Sequence, residues 1–370
     1  MKKRDKFISF LLIIVIITLM AIIGICGYVM YNQIIGNEDI KLSFGIGDGD
    51  LDNTLSSPEN TNIEVDNVIY SGVDTKEDTK VEYTGHLYNQ LDETAQTIYD
   101  KLYENKENLK TGTYKVEYGK AFSKLLSEEN GEETLKEEYQ SAIEAFLYEN
   151  PDVFYLDATK MYINLEKITR FTGVKYNVYI NQGKNINYLL DEFASKEDID
   201  KCEQQIKEIE NQIILEAQGK TDYEKIKIVH DYLVDNTKYE TTVSKSHIYD
   251  IYGTLVLKES VCEGYAKSFQ YLMNKLGIDN VIVIGVATNS DNATENHAWN
   301  YVNLNEEWYA VDTTWDDPVV IGGGKASKKS RYQYFLKGSR TMDKNHTPSG
   351  KFTDGGQLFT YPTLSRSDYK

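Results

Sequence analysis

Three residues of this chain have the side-chain chemistry of a nucleophilic site: Cys262, His297 and Asp312. A thiol attacks only as the thiolate, so its surroundings must favour negative charge. Cys262 lies in Ser260-Val261-Cys262-Glu263-Gly264-Tyr265-Ala266, at the start of a helix predicted to run to Leu276. Unpaired backbone N–H groups and the positive end of the helix dipole would stabilise an anion there. The ordinary alternative is a small buried residue filling a gap between helix and sheet.

His297 opens Asn296-His297-Ala298-Trp299-Asn300, and Asp312 closes Trp308-Tyr309-Ala310-Val311-Asp312. The link Leu304-Asn305-Glu306-Glu307 predicts a hairpin centred between Asn305 and Glu306. Facing residues then have numbers summing to 611, which sets His297 opposite Thr314 and Asp312 opposite Trp299. His297 and Asp312 become diagonal neighbours on one sheet face, with Cα atoms about 7–8 Å apart. A slip of one residue would separate them. Nucleophile, base and orienting carboxylate are thus all present.

These blocks resemble those of the transglutaminase-like superfamily, which includes papain-related thiol enzymes. The resemblance rests on Val261-Cys262-Glu263-Gly264-Tyr265-Ala266, on His297-Ala298-Trp299-Asn300, and on Trp308-Tyr309-Ala310-Val311-Asp312-Thr313-Thr314-Trp315-Asp316. It runs from about Tyr223 to Pro318. It implies an α+β fold whose core packs the cysteine helix on an antiparallel sheet. It also implies a triad of Cys262 as nucleophile, His297 as base and Asp312 as orienter, with no cofactor. Members of the superfamily cross-link glutamine to amines, cleave peptides or remove glycans, and some have lost activity.

The donor to the oxyanion is less legible. Papain-like relatives use a Gln shortly before the Cys, but residues 242–261 contain no Gln, Asn or Trp. The Tyr252 hydroxyl is the candidate taken here, against core packing as the alternative. Glu263 and Trp299 are further candidates for contact with the oxyanion or substrate. His230 falls on an apolar helix stripe with Ile226, where packing is the expectation, and His86, His247 and His346 lie in polar stretches expected at the surface.

Around these motifs, apolar repeats define the elements. Leu91, Ala95, Ile98 and Leu102 mark one helix, Leu135, Tyr139, Ala142 and Phe146 a second, and Cys202, Ile206, Ile209 and Ile213 a third. The third stripe makes Cys202 a packed thiol. Strand-like alternation covers Thr113–Tyr118, Val174–Ile180, Asn280–Ala287, His297–Leu304 and Trp308–Thr314. Residues 85–217 are read as an α+β accessory domain and residues 218–370 as the catalytic domain. The tail is expected to be ordered at Tyr332–Leu336 and irregular beyond.

Residues 7–31 hold no charged side chain, with Lys2, Lys3, Arg4 and Lys6 before them and Glu38 and Asp39 after. This predicts a single transmembrane signal anchor in the bilayer, residues 1–6 cytoplasmic and the remainder extracytoplasmic. Residues 32–84 follow as an acidic flexible linker. Within it, residues 37–83 carry twelve Asp/Glu against three Lys.

The chain has 370 residues and a net charge of −18; residues 1–6 contribute +3, so the rest carries −21. That charge excludes nucleic acid as a natural partner. Its three cysteines form no CxxC pair, so a structural zinc site is not expected.

The expected function is that of an extracytoplasmic thiol enzyme attacking a protein or peptide amide at the cell envelope. A thioester would form and be resolved by water or an amine. The competing readings are an inactive scaffold or adhesion module and a metal-dependent hydrolase using His297 and Asp312.

Overall fold

The computed structural model describes residues 40–45, 85–170, 173–182, 187–290, 292–317, 330–353 and 355–370. In chain order these form β1 (Ile40–Gly45), α1 (Glu93–Glu104), β2 (Val116–Gly119), α2 (Gly131–Glu149), β3 (Met161–Arg170), β4 (Gly173–Gln182) and α3 (Lys196–Ala217). There follow α4 (Asp222–Asn236), β5 (Lys238–Tyr239), β6 (Glu259–Ser260), α5 (Cys262–Lys275), β7 (Asn280–Thr288), β8 (Thr294–Leu304), β9 (Glu307–Val311) and β10 (His346–Pro348). The mixture is α+β, as the apolar periodicities predict.

The predicted stripes are buried. Ala95, Ile98 and Leu102 line α1, whose first turn is capped by the Asp92 carboxylate accepting from Ala95 N. Leu135, Tyr139, Ala142 and Phe146 line α2, and Asn150-Pro151 ends it because proline cannot continue the ladder. Ile206 and Ile213 are buried on α3, with Cys202 partly buried beside them. Burial also pushes the Cys202 thiol up from its usual range, as expected of a packed sulfur.

The accessory sheet has the order β1-β3-β4-β2. Its β1 departs from expectation. Ile40–Gly45, six residues of the stretch read as a flexible linker, pair antiparallel with β3, Ile40 opposite Lys167 and Gly45 opposite Tyr162. The rest of the linker and the predicted membrane segment 7–31 lie outside the described residues. Among the described residues, no helix is long and apolar enough to cross a membrane.

The second sheet has the order β10-β7-β8-β9 and is antiparallel throughout. The β8–β9 hairpin pairs Leu304 with Glu307 and Asn300 with Val311, which is the predicted register. Its two-residue loop has φ of 57° at Asn305 and 66° at Glu306, the left-handed pair that suits the strand twist. The end of the chain also departs from expectation. Beyond Leu336 it is not irregular: His346–Pro348 adds β10 to the sheet edge, Phe359 and Leu364 are buried, and Ser365 N donates to Trp308 O. These contacts use main-chain bonds and scattered apolar residues, which leave no periodic trace in the sequence.

Candidate active site

Cys262 is the first residue of α5, and the preceding Val261 caps the helix without a side-chain hydrogen bond. The first-turn N–H groups, which have no intrahelical acceptor, receive no side-chain cap from Val261. The motif around it has local work to do. A Cβ on Gly264 would sit 2.0 Å from Ser260 Oγ and 2.8 Å from Ile248 O, so only glycine lets the incoming strand pass. The Tyr265 hydroxyl donates to Asp317 Oδ2 at 2.6 Å. Asn300 Nδ2 donates to Ala266 O at 3.0 Å and joins the helix to β8.

His297 and Asp312 meet as the hairpin register requires. His297 Nε2 lies 2.8 Å from Asp312 Oδ2, and both side chains are buried. Asp312 is the first residue after β9, where the chain turns; its Oδ1 accepts the amides of Thr314 and Trp315, each at 3.0 Å. The Cys262 side chain is the second neighbour that favours the charged His297 imidazole. Burial opposes a charge on His297, but Asp312 and then Cys262 outweigh it, pushing the imidazole up to about 10. Burial would likewise raise Asp312, yet His297 and His346 hold it well below the usual carboxylate range. Thiol, imidazole and carboxylate thus form one chain of contacts.

The other candidates are placed differently. Tyr252 does not join the triad: its hydroxyl donates to Gln205 Oε1 of α3 at 2.9 Å, and its ring stacks on Phe154. Glu263 turns along its own helix to an ion pair with Lys267 at 2.6 Å. Trp299 is buried with its ring stacked 5.9 Å from that of His297, so it packs the imidazole. Trp315 covers the same imidazole at 5.3 Å.

A different tyrosine lies within electrostatic reach of Cys262. Tyr239 on β5 pairs in parallel with Ser260, two residues before Cys262. Burial first, and then the neighbouring Cys262, push its hydroxyl up to about 12. Among the described residues that hydroxyl makes no hydrogen bond. Nothing in Lys238-Tyr239-Glu240 distinguishes this tyrosine in a chain with 29 of them.

The histidines expected at the surface split. His86 is partly exposed and meets Asp279 at 3.0 Å. His247 is nearly enclosed, with Nδ1 2.8 Å from Asp250 Oδ2. His346 is fully buried inside the site, with Nε2 3.0 Å from Asp312 Oδ2, because β10 carries it there. His230 is buried as expected, but as an ion-pair partner: Nε2 meets Asp316 Oδ2 and Nδ1 meets Asp231 Oδ1, both at 3.0 Å. Those carboxylates hold the His230 imidazole above its usual range against the effect of burial. Asp316 Oδ1 also accepts Tyr334 N, so the loop after β9 is pinned at both Asp312 and Asp316.

His297, Asp312 and His346 bring three possible metal-ligand atoms within 4.8 Å of one another. Both Nε2 atoms, however, already bond to the carboxylate oxygen a metal would need, and the other oxygen is taken by two amides. The donor set fits a hydrogen-bonded triad better than a cation.

Residues 208–313 match the family model of the transglutaminase-like superfamily. The match takes in Cys262, His297 and Asp312. No curated protein matches the chain. Solved structures similar to it include a TGase, at 17% identity over 47% of this chain and 48% of that one, TM-score 0.28. A Cytophaga hutchinsonii protein described as a candidate cysteine protease is 14% identical over 43% of this chain and 68% of that one, TM-score 0.26. Menin, crystallised to show its binding site for the Mixed Lineage Leukemia protein, is 17% identical over 42% of this chain and 34% of that one, TM-score 0.26. The chain thus spans about half the length of the TGase, and at these TM-scores the likenesses carry no argument about activity. The matched region holds α5, which begins at Cys262, and the β7–β8–β9 strands, while β10 lies beyond it.

Proposed function

We propose that the protein is a thiol enzyme that acts on a protein or peptide amide through Cys262, His297 and Asp312. The observation carrying this reading is the buried His297, bonded to Asp312 and within electrostatic reach of Cys262. His297 holds the thiol proton as an imidazolium before the sulfur attacks the carbonyl carbon as thiolate, and passes that proton to the nitrogen of the departing amine or ammonia. The acyl group remains on sulfur as a thioester. Water or a primary amine then attacks that thioester, and His297 takes up the nucleophile's proton as the sulfur departs as thiolate. Asp312 keeps Nε2–H in place throughout and stabilises the imidazolium.

The oxyanion formed in each step needs donors aimed at it. The amides at the start of α5 supply one, and we assign the other to the Tyr239 hydroxyl, which makes no hydrogen bond among the described residues and feels the charge of Cys262. Residues 7–31 are proposed to anchor the chain, as a bacterial signal anchor, with the catalytic region outside the cytoplasm and its substrate in the cell envelope.

The test is to trap the acyl group. Full-length protein in detergent is incubated with a glutamine peptide library, with and without a labelled primary amine, and analysed by mass spectrometry. Label incorporated into peptide identifies transamidation, and cleavage or deamidation identifies hydrolysis. Neither, with Cys262 unmodified in folded protein, would refute the enzyme reading in favour of a scaffold.

A further inference from the structure

We propose that His346 is a positioning residue of this site: it holds Asp312 from the side opposite the β8–β9 hairpin and shares the oxygen that serves His297. The inference rests on the thiol-enzyme reading above.

The geometry begins with the sheet. β10 pairs with β7 so that His346 stands opposite Ala287, and β7 pairs with β8 so that Gly285 stands opposite His297. Directly opposed residues of antiparallel strands project to the same face. His346, Ala287, Gly285 and His297 therefore share one face, with the two smallest residues in the middle. A Cβ at Gly285 would lie 2.8 Å from the Trp299 ring and 2.2 Å from Thr347 O. The missing side chain leaves room for the Trp299 ring and for the β10 backbone that carries His346.

At that carboxylate every acceptor direction is used. Oδ2 accepts from His297 Nε2 at 2.8 Å and from His346 Nε2 at 3.0 Å, while Oδ1 accepts two amides. A carboxylate with four donors is fixed in rotation as well as in charge. His346 is itself fixed. Its Nδ1 lies 2.8 Å from Asn345 Oδ1, and Asn345 Nδ2 bonds to the Tyr334 hydroxyl. Its ring is walled by Trp315 at 4.6 Å, Trp299 at 5.0 Å and Tyr334 at 5.2 Å. The titratable groups facing it among the described residues are Asp312, His297 and Tyr334.

Two consequences follow from sharing one oxygen. Each donor weakens the other's bond, so His346 moderates the pull of Asp312 on His297 and leaves the imidazolium acidic enough to protonate a leaving amine. It also prevents the carboxylate from turning its Oδ2 away. A group that only filled space would do neither.

The experiment compares His346→Gln, whose amide N–H can reach Oδ2, with His346→Asn, which is too short, and His346→Met, which has no donor. In full-length protein carrying Cys262→Ala, the His297 imidazole is titrated by nitrogen NMR. In otherwise native protein, kcat and KM for amide turnover are measured. The Met and Asn variants are expected to raise the His297 midpoint by about half a unit or more and lower kcat about tenfold with KM within twofold. The Gln variant should recover most of both. If Met does not fold, the contrast between Gln and Asn decides the matter. An unchanged midpoint in folded Met or Asn protein, or a Gln variant no better than Asn, would overturn the proposal. Since the titration is read without the thiol, absent turnover in native protein would count against the enzyme reading alone.

Discussion

Tyr239 and Ser260 face each other across a two-residue parallel ladder that leads directly into the nucleophile's helix. That pairing sets a tyrosine beside Cys262, whereas Tyr252, nearer in sequence, is bonded to Gln205. Tyr239→Phe should therefore lower kcat about 100-fold with little change in KM, the size expected for losing one oxyanion donor. Tyr252→Phe should leave kcat within about twofold. Steady-state kinetics on the two variants checks this, and equal losses would remove Tyr239 from the role.

Cys262→Ala should abolish turnover, by at least about ten-thousandfold, because the thioester cannot form. The side chain is only partly buried, so the fold should survive. Thermal melts within a few degrees of native, alongside lost activity, are the expected pair of results. Persistent turnover would point to chemistry elsewhere in the chain.

The charge on His297 gives a pH signature. With the imidazole pushed up to about 10, the alkaline limb of kcat/KM should fall near that pH. Asp312→Asn removes the main cause of the shift. Its limb should move down by a unit or more towards the ordinary histidine range near 6.5, with activity reduced about a thousandfold. A limb that stays where it was would show that Asp312 does not control the imidazole.

The same shift affects stability. A histidine whose folded pKa is raised contributes stability fully present below its unfolded value near 6.5, and lost as pH rises through about 10. Native protein should thus lose more stability than Asp312→Asn between pH 7 and pH 10.5. Urea midpoints at both pH values for both proteins provide the comparison. Equal losses would contradict the ion pair.

Gly264→Ala should destabilise the folded chain by about 1–3 kcal/mol, since the added methyl meets Ser260 Oγ and the Ile248 carbonyl. The urea midpoint should fall with the slope unchanged. A neutral substitution would mean that β6 can shift without cost.

Short-range patterns in the sequence were enough for the His297–Asp312 contact and for Cys262 at a helix start. A thiol at a helix start depends on one apolar stripe, and the His297–Asp312 contact depends on a two-residue loop whose register aligns every pair behind it. Such signals are short in range, so the sequence by itself determined the helix that begins at Cys262, the hairpin and the α+β class. What only the tertiary structure decided lies between distant segments. Ile40–Gly45 joins a sheet more than a hundred residues away in the chain, and His346 reaches Asp312 by way of β10 and a glycine on β7. Tyr239 rather than Tyr252 flanks the sulfur because of a main-chain ladder. Backbone hydrogen bonds are the same for every residue type but proline, so pairings made through them leave little side-chain pattern to read.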